Sequence, residues 1–524
     1  MFGVLGDANL FIGDCLIRVH GVNYVAATHE ASAVMMALGF ARATGQLGVA
    51  TVTHGPGLTN TMTALVDGAK ASTPMLLVTG DTPTSDLHHL QNVNQRAFVE
   101  ATGSGFHAVR EAATMAEDVA IAIRRAYTER RPIVLNVPLE LEWEELDYVA
   151  APRVSPLERG VDADPEALDR AVGIIATAQR PLIVAGRGAV NAGAHDALVA
   201  LAETLGAPLA TTLLGTGYFR DDSCAIGIFG TLATPVGSEA IHHADCVITF
   251  GAALNKFTTH DGTLLTGKAV VQCDVDPARI GSTVPIVAGV VGDARRIAET
   301  MTEWLTSAGH QPSSFRSAEL DAAIAAFDPA TAFVDQSTDS HVDPRTAVIE
   351  LDKVLPSERT VVVDAGRFML DALNLPVPDP VALVTTHAYG SIGLGTPAAI
   401  GAATGRPDRT TVLLVGDGGF MMGGLQELHT AVHLGLDLVV VLYNDGSYGA
   451  EHVQLVNKGM DTTSSLHHWP ELTTVASALG CDSVAVRNID DFAAAAKVVA
   501  QRQPGRPVFI EIAVDPDVAS RIPR

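Results

Sequence analysis

The stretch Val415-Gly416-Asp417-Gly418-Gly419-Phe420 joins an apolar run, residues 411–416, to a segment of helical character. A strand that ends at a Gly-Asp-Gly turn and opens a helix presents backbone N–H groups to a diphosphate, and the carboxylate of Asp417 is a hard oxygen ligand for a divalent cation. A second apolar run ends at Tyr443-Asn444-Asp445-Gly446, far enough along the chain for one helix and one returning strand. Because neighbouring parallel strands end at the same sheet edge, the two stretches predict a site for a metal and a diphosphate.

Three segments near the N-terminus accompany this motif: Thr28-His29-Glu30-Ala31-Ser32-Ala33, Gly39-Phe40-Ala41-Arg42-Ala43-Thr44-Gly45 and Thr53-His54-Gly55-Pro56-Gly57-Leu58-Thr59-Asn60. Taken in this order, the motifs resemble those of enzymes that use thiamine diphosphate, in the group of pyruvate decarboxylase and acetolactate synthase. The resemblance covers nearly the whole chain. It implies an α/β fold of three doubly wound parallel-sheet domains: a pyrimidine-binding domain (1–150), a central domain (166–308) and a diphosphate-binding domain (343–524). It also implies that the first domain lacks the strand and helix that usually precede the turn at residues 2–6.

Apolar strands alternate with helical stretches in each of these ranges, which indicates parallel sheets covered by helices. Strands are predicted at 48–53, 75–79 and 133–137, at 181–185, 246–251 and 269–275, and at 360–364, 411–416 and 438–443. Helices are predicted at 30–42 and 116–125. Segments rich in proline, charge or polar residues, at 149–165 and 307–342, are predicted to connect the domains.

The composition excludes several classes of partner. The 34 basic and 59 acidic residues give a net charge of −25, which argues against nucleic acid or an anionic membrane surface. The mean hydropathy is +0.25, yet no apolar run approaches the roughly 18 to 20 residues of a membrane span. Five cysteines without paired spacing predict neither a disulfide framework nor a zinc site. With no visible targeting segment, we expect a soluble, cytoplasmic enzyme.

The resemblance assigns roles at the pyrimidine end of the cofactor. Glu30 matches the residue that exchanges a proton with N1′ of the aminopyrimidine, the step that makes thiamine a nucleophile. Gly55 and Asn60 belong to the turn that binds the same end. Ile392, in a glycine-rich run with Gly390, matches the apolar residue that bends the cofactor, and the glycines beside it favour close approach of the backbone to a ligand.

At the other end, the residues expected to bind the diphosphate are Gly416, Asp417, Gly418 and Gly419. Asp417 is also expected to bind Mg²⁺ or Ca²⁺. The family pattern indicates Asp445 and the backbone carbonyl of Ser447 as the further metal ligands. The spacing alone also permits Asn444 with Gly446, because the helix after Gly419 is one residue longer than usual.

Four residues resemble those that handle protons in the 2-oxo acid decarboxylases: Asp7, His88, His89 and Glu451. In those enzymes they assist the departure of CO₂ and then protonate the carbon so that an aldehyde is released. Gln91 equally matches a Gln of the acetolactate synthases, and the loop before His88 is short, so the assignment of the His pair stays open. His54 replaces a small residue before Gly55 and either faces the substrate or simply occupies the turn.

We therefore expect cleavage of the C1–C2 bond of a 2-oxo acid of unspecified size, with non-oxidative release of an aldehyde as the main hypothesis. The alternative is a carboligase like acetolactate synthase, which forms an acyloin or acetohydroxy acid without catalytic FAD. The segments 55–57, 211–215 and 227–231 resemble that group. Against it, a Thr-Lys-His signature is absent around residues 102–105, and no Trp follows Tyr448.

Bound FAD is not expected, because the Arg-rich flavin segment reads Gly251-Ala252-Ala253-Leu254-Asn255-Lys256 here. Asp274 and Gly186-Arg187-Gly188 leave nucleotide binding by the central domain open, with a purely structural domain as the favoured interpretation. In the family, the cofactor lies between the first domain of one subunit and the third domain of its partner. The resemblance therefore implies a homodimer or homotetramer.

Overall fold

The computed structural model describes residues 1–86, 88–152, 154 and 160–518. Its contacts divide the chain into two compact units. The first unit combines residues 1–156, 335–375 and 381–524, and the second comprises 157–334 and 376–380. Residues 153 and 155–159 of the predicted linker lie outside the described residues, as does Leu87 of the predicted Leu87-His88-His89 stretch.

The first sheet belongs to the first unit and is parallel throughout. Its strands are β1 (Phe2–Gly3), β2 (Val25–Ala26), β3 (Gly48–Val52), β4 (Met75–Asp81), β5 (Gly105–Ala108) and β6 (Pro132–Pro138). In space they follow the order β2-β1-β3-β4-β6-β5. The accompanying helices are α1 (Leu10–Arg18), α2 (Glu30–Thr44), α3 (Pro56–Thr59), α4 (Met62–Lys70), α5 (Gln95–Ala101) and α6 (Met115–Glu129), with 3₁₀ turns at Ala112–Thr114 and Leu139–Trp143.

The central sheet forms the second unit, again with six described strands. They are β7 (Pro181–Ala185), β8 (Leu209–Thr211), β9 (Ala225–Ile228), β10 (Cys246–Phe250), β11 (Ala269–Asp274) and β12 (Ala288–Val291), in the spatial order β12-β11-β10-β7-β8-β9. The helices are α7 (Pro165–Ile175), α8 (Arg187–Asn191), α9 (His195–Leu205), α10 (Pro235–His243), α11 (Lys256–Thr259), α12 (Ala294–Ser307) and α13 (Ala318–Ala326). Short 3₁₀ turns lie at Leu213–Gly215, Thr263–Leu265, Pro277–Arg279 and Pro329–Ala332.

The third sheet completes the first unit. Its strands are β13 (Arg359–Val363), β14 (Leu383–Thr385), β15 (Thr410–Gly416), β16 (Leu438–Asn444), β17 (Asp482–Val486) and β18 (Val508–Ala513), in the spatial order β14-β13-β15-β16-β18-β17. The helices are α14 (Pro344–Val354), α15 (Met369–Ala372), α16 (Gly395–Gly405), α17 (Asp417–Gly419), α18 (Leu425–His433), α19 (Gly449–Asn457), α20 (Leu472–Leu479) and α21 (Phe492–Ala500). A π-helical turn, Phe420–Gly424, lies between α17 and α18, and 3₁₀ turns lie at Pro380–Ala382, Thr463–Ser465 and Ile489–Asp491.

Three parallel sheets with accompanying helices confirm the predicted α/β fold class. Every strand predicted from the sequence begins and ends within two residues of the observed strand. The stretch 307–342 differs from the prediction, because it contains α13 rather than only a connection. Three of its apolar side chains, Phe315, Leu320 and Ile324, pack against the core of the central sheet. No described helix combines the length and apolar character needed to cross a membrane.

The first and third sheets share one hydrophobic core, and α2 packs directly on α16 within it. The two helices approach closely because glycines lie where they cross. A Cβ atom on Gly39 would lie 2.2 Å from the carbonyl oxygen of Ala398, and one on Gly401 would lie 1.9 Å from that of Met36. These distances leave no space for any side chain, so the helix crossing depends on both glycines.

A buried ion pair reinforces the same contact. The Arg42 guanidinium, on α2, lies 2.7 Å from Asp67, and both side chains are almost fully buried. Arg42 also donates to the carbonyl oxygen of Thr385 at 2.8 Å, and Asp67 accepts from the backbone N–H of Tyr389 at 3.2 Å. The pair therefore ties the loop that contains Ile392 to the first sheet.

Gly401→Ala is expected to destabilise the first unit, because the added methyl group overlaps the backbone of α2. Overpacking of this kind costs about 1 to 3 kcal/mol, and thermal unfolding followed by circular dichroism would show a lower midpoint. Gly173→Ala is the matched control, since Gly173 also lies inside a helix but has no atom within 4 Å of its added Cβ. An equal rise in the midpoint for both variants would contradict the close crossing.

Candidate cofactor site

Two carboxylates meet at the carboxyl edge of the third sheet. Gly416 of β15 pairs with Tyr443 of β16 in parallel register, so Asp417 and Asp445 follow neighbouring strands. Asp417 is only 2% exposed, and burial together with the nearby charge of Asp445 raises its pKa to about 7. Burial also raises the pKa of Asp445, although Ser447 donates two hydrogen bonds of 2.9 Å to its Oδ1. A divalent cation would relieve this repulsion between buried carboxylates.

The side chain of Asn444 is held by β18 instead. Its Nδ2 donates to Oε1 of Glu511 at 2.7 Å, and its Oδ1 accepts from the backbone N–H of Gly446 at 3.1 Å. Glu511 is 1% exposed and also accepts from the backbone N–H of Thr473 at 3.0 Å. Because these contacts already engage Asn444, the arrangement supports Asp445 over Asn444 as the metal ligand.

The extra residue predicted after Gly419 appears as the π-helical turn at Phe420–Gly424. Such a turn inside an α-helix takes up a single additional residue locally. The insertion therefore does not shift the pairing of β15 with β16, which continues to Gly416 and Tyr443.

The turn contains glycines because atoms of neighbouring residues occupy the positions that side chains would need. A Cβ on Gly418 would lie 2.6 Å from the Tyr448 ring, and one on Gly419 would lie 2.7 Å from Oδ2 of Asp364. The Cβ of Ile392 lies 3.5 Å from where an added Cβ on Gly419 would be. The predicted apolar wedge therefore lies beside the Gly-Asp-Gly turn.

Asp364 holds the loop that carries Ile392. It is fully buried at the end of β13, and burial raises its pKa to about 6. Its oxygens accept from the backbone N–H of Gly393 and from Oγ1 of Thr386, both at 2.9 Å. Gly390, earlier in this loop, has a φ of 82° and no atom within 4 Å of an added Cβ, so its backbone is open on that side.

An aromatic group orients Asp417. Nε1 of Trp469 donates to Oδ2 of Asp417 at 2.8 Å. The Trp469 ring stacks on His467 with centroids 4.8 Å apart, and His467 lies edge-on to Tyr448 at 4.4 Å. No sequence pattern predicts this role, because Trp469 lies outside every motif.

The residues present fit a divalent cation held together with a diphosphate. Among residues 1–86, 88–152, 154 and 160–518, no three His, Cys, Asp or Glu side chains form a cluster that could hold a metal alone. Asp417 and Asp445, with the carbonyl of Ser447, make a partial set of hard oxygen ligands. Mg²⁺ commonly completes such a set with substrate or cofactor phosphate oxygens and water.

The pyrimidine motif assembles at the carboxyl edge of the first sheet. His29 caps α2 by accepting from the backbone N–H of Ala31 at 3.1 Å, which places Glu30 at the first helical position. Oε2 of Glu30 accepts from Nδ2 of Asn60 at 2.9 Å, and its Oε1 is 3.7 Å from the position of a Cβ on Gly57. The structure therefore brings Glu30, Asn60 and the Gly55-Pro56-Gly57 turn together.

Gly55 is the residue at which this turn requires glycine. Its φ is 59°, and an added Cβ would lie 2.4 Å from the carbonyl oxygen of Gln91. Its N–H donates to Oε1 of the buried Gln95 at 2.9 Å, and Gln95 in turn donates to the carbonyl oxygen of Gly80 at 2.9 Å. The turn is thus fixed to Gln95 at the start of α5, and it lies close to Gln91.

Glu427, on α18 of the third domain, reaches across to the pyrimidine motif. Its fully buried Oε1 accepts from the backbone N–H of Thr28 at 3.0 Å and from Oγ1 of Thr28 at 2.6 Å. Its Oε2 accepts from Oγ1 of Thr430 at 2.8 Å. The carboxylate therefore positions the chain two residues before Glu30.

The predicted substrate-side residues are only partly brought together. His54 is 1% exposed, and its ring lies 5.3 Å from that of His89. Burial, followed by the charge of His89, lowers the pKa of His54, while Asp81 and Asp7 act in the opposite direction. His88 is exposed, and Glu451 is exposed in the first turn of α19.

In the central sheet, the predicted nucleotide residues have structural contacts. A Cβ on Gly186 would lie 2.2 Å from the carbonyl oxygen of Gly251, and one on Gly188 would lie 2.6 Å from the Cα of Gly251. These glycines permit close packing of two backbone segments. Asp274 accepts from the backbone N–H of Asp276 at 3.0 Å.

Asp417→Asn is expected to stabilise the cofactor-free protein at high pH. A pKa raised from 3.8 to about 7 means that the native state keeps a proton that the unfolded state has lost, so stability falls as the pH rises from 3.8 to about 7. Asn cannot ionise but still accepts from Trp469. Urea unfolding should show a gain of up to about 4 kcal/mol at pH 8 and much less at pH 4.5.

Asp339→Asn is the control for this experiment, because Asp339 is an exposed carboxylate of the same unit. It should change stability little at either pH. A gain from Asp417→Asn that is the same at pH 8 and pH 4.5 would contradict the raised pKa of Asp417.

Glu427→Gln is expected to lower the free energy of unfolding by about 1 to 3 kcal/mol, because the amide keeps the shape but exchanges one acceptor oxygen for a donor. Thermal or urea unfolding measures the change. Glu358→Gln, at an exposed position of the same unit, serves as the control. Equal stability of the two variants would show that the contact with Thr28 contributes nothing.

Comparison with known proteins places the chain in a family. Three models of thiamine pyrophosphate (thiamine diphosphate) enzymes match it: the N-terminal TPP binding domain at residues 1–101, the central domain at 168–301 and the C-terminal TPP binding domain at 364–512. These ranges follow the first, central and third sheets in order.

Similar proteins match over almost the whole chain. The acetolactate synthase isozyme 3 large subunit of Escherichia coli (strain K12) is 28% identical, with 98% of this chain and 92% of the relative covered. The acetolactate synthase large subunit of Corynebacterium glutamicum is 28% identical, with 99% and 84% covered. The sulfoacetaldehyde acetyltransferase of Roseovarius nubinhibens is 29% identical, with 99% and 90% covered. The family matches and these full-length relatives agree, and the chain belongs to the thiamine pyrophosphate-dependent enzymes.

Proposed function

We propose that this enzyme is a carboligase: it cleaves the C1–C2 bond of a 2-oxo acid and transfers the remaining acyl unit to a second carbonyl compound. The observation that carries the proposal is the similarity to acetolactate synthases along almost the full length of the chain. A relative named as an acetyltransferase supports acyl transfer more generally.

The motifs alone favoured release of an aldehyde, whereas the similar proteins favour the alternative of carboligation. None of the three relatives described above is named as a decarboxylase. Of the four residues that resemble those of the decarboxylases, Asp7, His88 and Glu451 are exposed. Formation of an acyloin or acetohydroxy acid is therefore the better proposal, and a free aldehyde is its side product.

Thiamine diphosphate, when bound, supplies the carbon nucleophile for the 2-oxo group. Glu30 is proposed to exchange a proton with N1′ of the aminopyrimidine. Asn60 supports this role, because its amide donates to Oε2 of Glu30 and leaves Oε1 on the side of Gly57. Ile392 is proposed to press on the cofactor from beside Gly419.

Asp417, Asp445 and the carbonyl of Ser447 are proposed to hold Mg²⁺ or Ca²⁺ against the diphosphate, with Gly416, Gly418 and Gly419 providing backbone contacts. FAD has no proposed role, since the glycines of the central domain are explained by packing. The resemblance to the family supports sites formed between subunits of a homodimer or homotetramer in the cytoplasm.

Product analysis with a panel of 2-oxo acids tests the reaction. The purified protein, with thiamine diphosphate and Mg²⁺, should release CO₂ and yield a condensed product in similar amount, with little free aldehyde. Aldehyde equal to CO₂ would establish a decarboxylase instead. Absence of CO₂ from every acid would contradict a 2-oxo acid as substrate.

Glu30→Gln should lower the rate of CO₂ release by a factor of about 100 or more, because proton transfer by a positioned group contributes this much. Calorimetric titration should show that thiamine diphosphate still binds. Glu117→Gln is a matched control, since Glu117 is an exposed acid in the first turn of α6 in the same domain. Unchanged turnover in the Glu30→Gln variant would show that Glu30 does not take part in the proton transfer.

A further inference from the structure

Trp469 is a partly buried side chain next to the proposed metal site. Its Nε1 donates to Oδ2 of Asp417 at 2.8 Å. A hydrogen bond to a charged acceptor is stronger than one between neutral groups, so it both engages this oxygen and fixes the orientation of the carboxylate. The backbone N–H groups of Asp417 and Gly418 also interact with the same carboxyl group. Oδ1 is therefore the oxygen of Asp417 that a cation can approach without competing with the indole.

The chain before Trp469 is attached to the loop that carries the proposed metal ligands. Residues 465–467 form an antiparallel β-bridge with residues 446–448, with backbone hydrogen bonds of 2.7 Å and 2.9 Å between the two segments. The Trp469 ring stacks on His467 and packs against the core that the first and third sheets share. These contacts hold the indole N–H at a fixed position relative to Asp417 and to the metal loop.

Asp445 is restricted in the same way by Ser447. The backbone N–H and the Oγ of Ser447 both donate to Oδ1 of Asp445, each at 2.9 Å. The other oxygen, Oδ2, lies beside Gly449, where an added Cβ would be only 2.6 Å away, so a glycine leaves space next to it. Arg367, whose charge also acts on Asp445, donates to backbone carbonyl oxygens within residues 516–518. Oδ2 is therefore the oxygen that Asp445 offers to a cation.

One oxygen from each carboxylate suits Mg²⁺ better than Ca²⁺. Ca²⁺ takes roughly six to eight oxygen ligands at about 2.3–2.6 Å and often uses both oxygens of a carboxylate. Mg²⁺ is smaller and requires an octahedron of about six oxygens at about 2.0–2.1 Å. The choice between the two ions depends on the number of ligands and on their flexibility, and hydrogen bonds that hold both carboxylates reduce each of them.

We propose that Trp469 and the hydroxyl group of Ser447 set the cation preference of this site. Each restricts one carboxylate to a single oxygen for the cation, and together they favour Mg²⁺ over Ca²⁺. Trp469 is a positioning residue, because it acts through Asp417 rather than on the cation. The inference rests on the proposed metal ligands and names the ion that they select.

The test measures cofactor binding by calorimetry, with the full-length protein and without substrate. Thiamine diphosphate is titrated at a series of Mg²⁺ or Ca²⁺ concentrations, and the concentration of each ion that gives half-maximal binding is determined. In the wild type, this concentration should be at least about tenfold lower for Mg²⁺ than for Ca²⁺. Trp469→Phe keeps the stacked ring and removes the N–H, so Ca²⁺ gains access to the second oxygen of Asp417. The preference for Mg²⁺ should then fall about tenfold, the factor that corresponds to one hydrogen bond.

Two further variants make the result specific. Ser447→Ala removes the hydroxyl donor to Asp445 but keeps the backbone N–H and the carbonyl oxygen, so it should lower the preference for Mg²⁺ by a smaller factor. Trp143→Phe, at an exposed position of the same unit, is the matched control and should keep the preference of the wild type. A residue needed only for packing would weaken binding with both ions equally and leave their ratio unchanged.

Equal half-maximal concentrations of the two ions in the wild type, or the wild-type ratio in Trp469→Phe, would overturn the proposal. If Trp469→Phe does not fold, an unchanged ratio in Ser447→Ala would overturn it instead. These results differ from failure of the proposed metal site itself, which would appear as thiamine diphosphate binding that requires neither ion.

Discussion

The close crossing of α2 and α16 is the constraint on which the arrangement of the first unit depends. Two glycines remove the side chains that would otherwise separate the helices, and the backbone of each helix fills the space left on the other. Because α2 packs on α16, Glu30 lies at the start of a helix that shares one hydrophobic core with the third sheet. Glu427 and the Arg42–Asp67 pair then fix the chain on either side of that core. A shift between the helices would disturb both motifs at once.

The two ends of the proposed site have different electrostatics. At the diphosphate end, Asp417 and Asp445 are both buried, and burial, followed by the charge of Asp445, raises the pKa of Asp417 to about 7. A divalent cation would relieve that cost. At the substrate end, burial, followed by the charge of His89, lowers the pKa of His54.

Much of this could be predicted from the sequence, because strands and their terminal turns leave strong local patterns. The Gly-Asp-Gly stretch and the apolar runs located β15 and β16 to within one residue. Glu30 and Asn60 were named from a motif, and their contact is consistent with it. The residues that were missed make contacts that are remote in sequence: Trp469 with Asp417, Glu511 with Asn444 and Glu427 with Thr28. No periodicity or spacing indicates such pairs, since they depend on how separate elements pack. The choice between a decarboxylase and a carboligase could not be made from the motifs for a similar reason, because dipeptides such as His88-His89 do not reveal which side chain is buried.

The most direct test of the account is complementation between inactive variants. If Glu30 of one subunit and Asp417 of its partner serve the same cofactor, a hybrid of Glu30→Gln and Asp417→Asn chains contains one site with both native residues. Mixing equal amounts under conditions of subunit exchange should restore about a quarter of wild-type carboligation at statistical exchange in a dimer. Activity no greater than that of the separate variants, with exchange verified by mass spectrometry, would contradict a site built from these two motifs on different subunits.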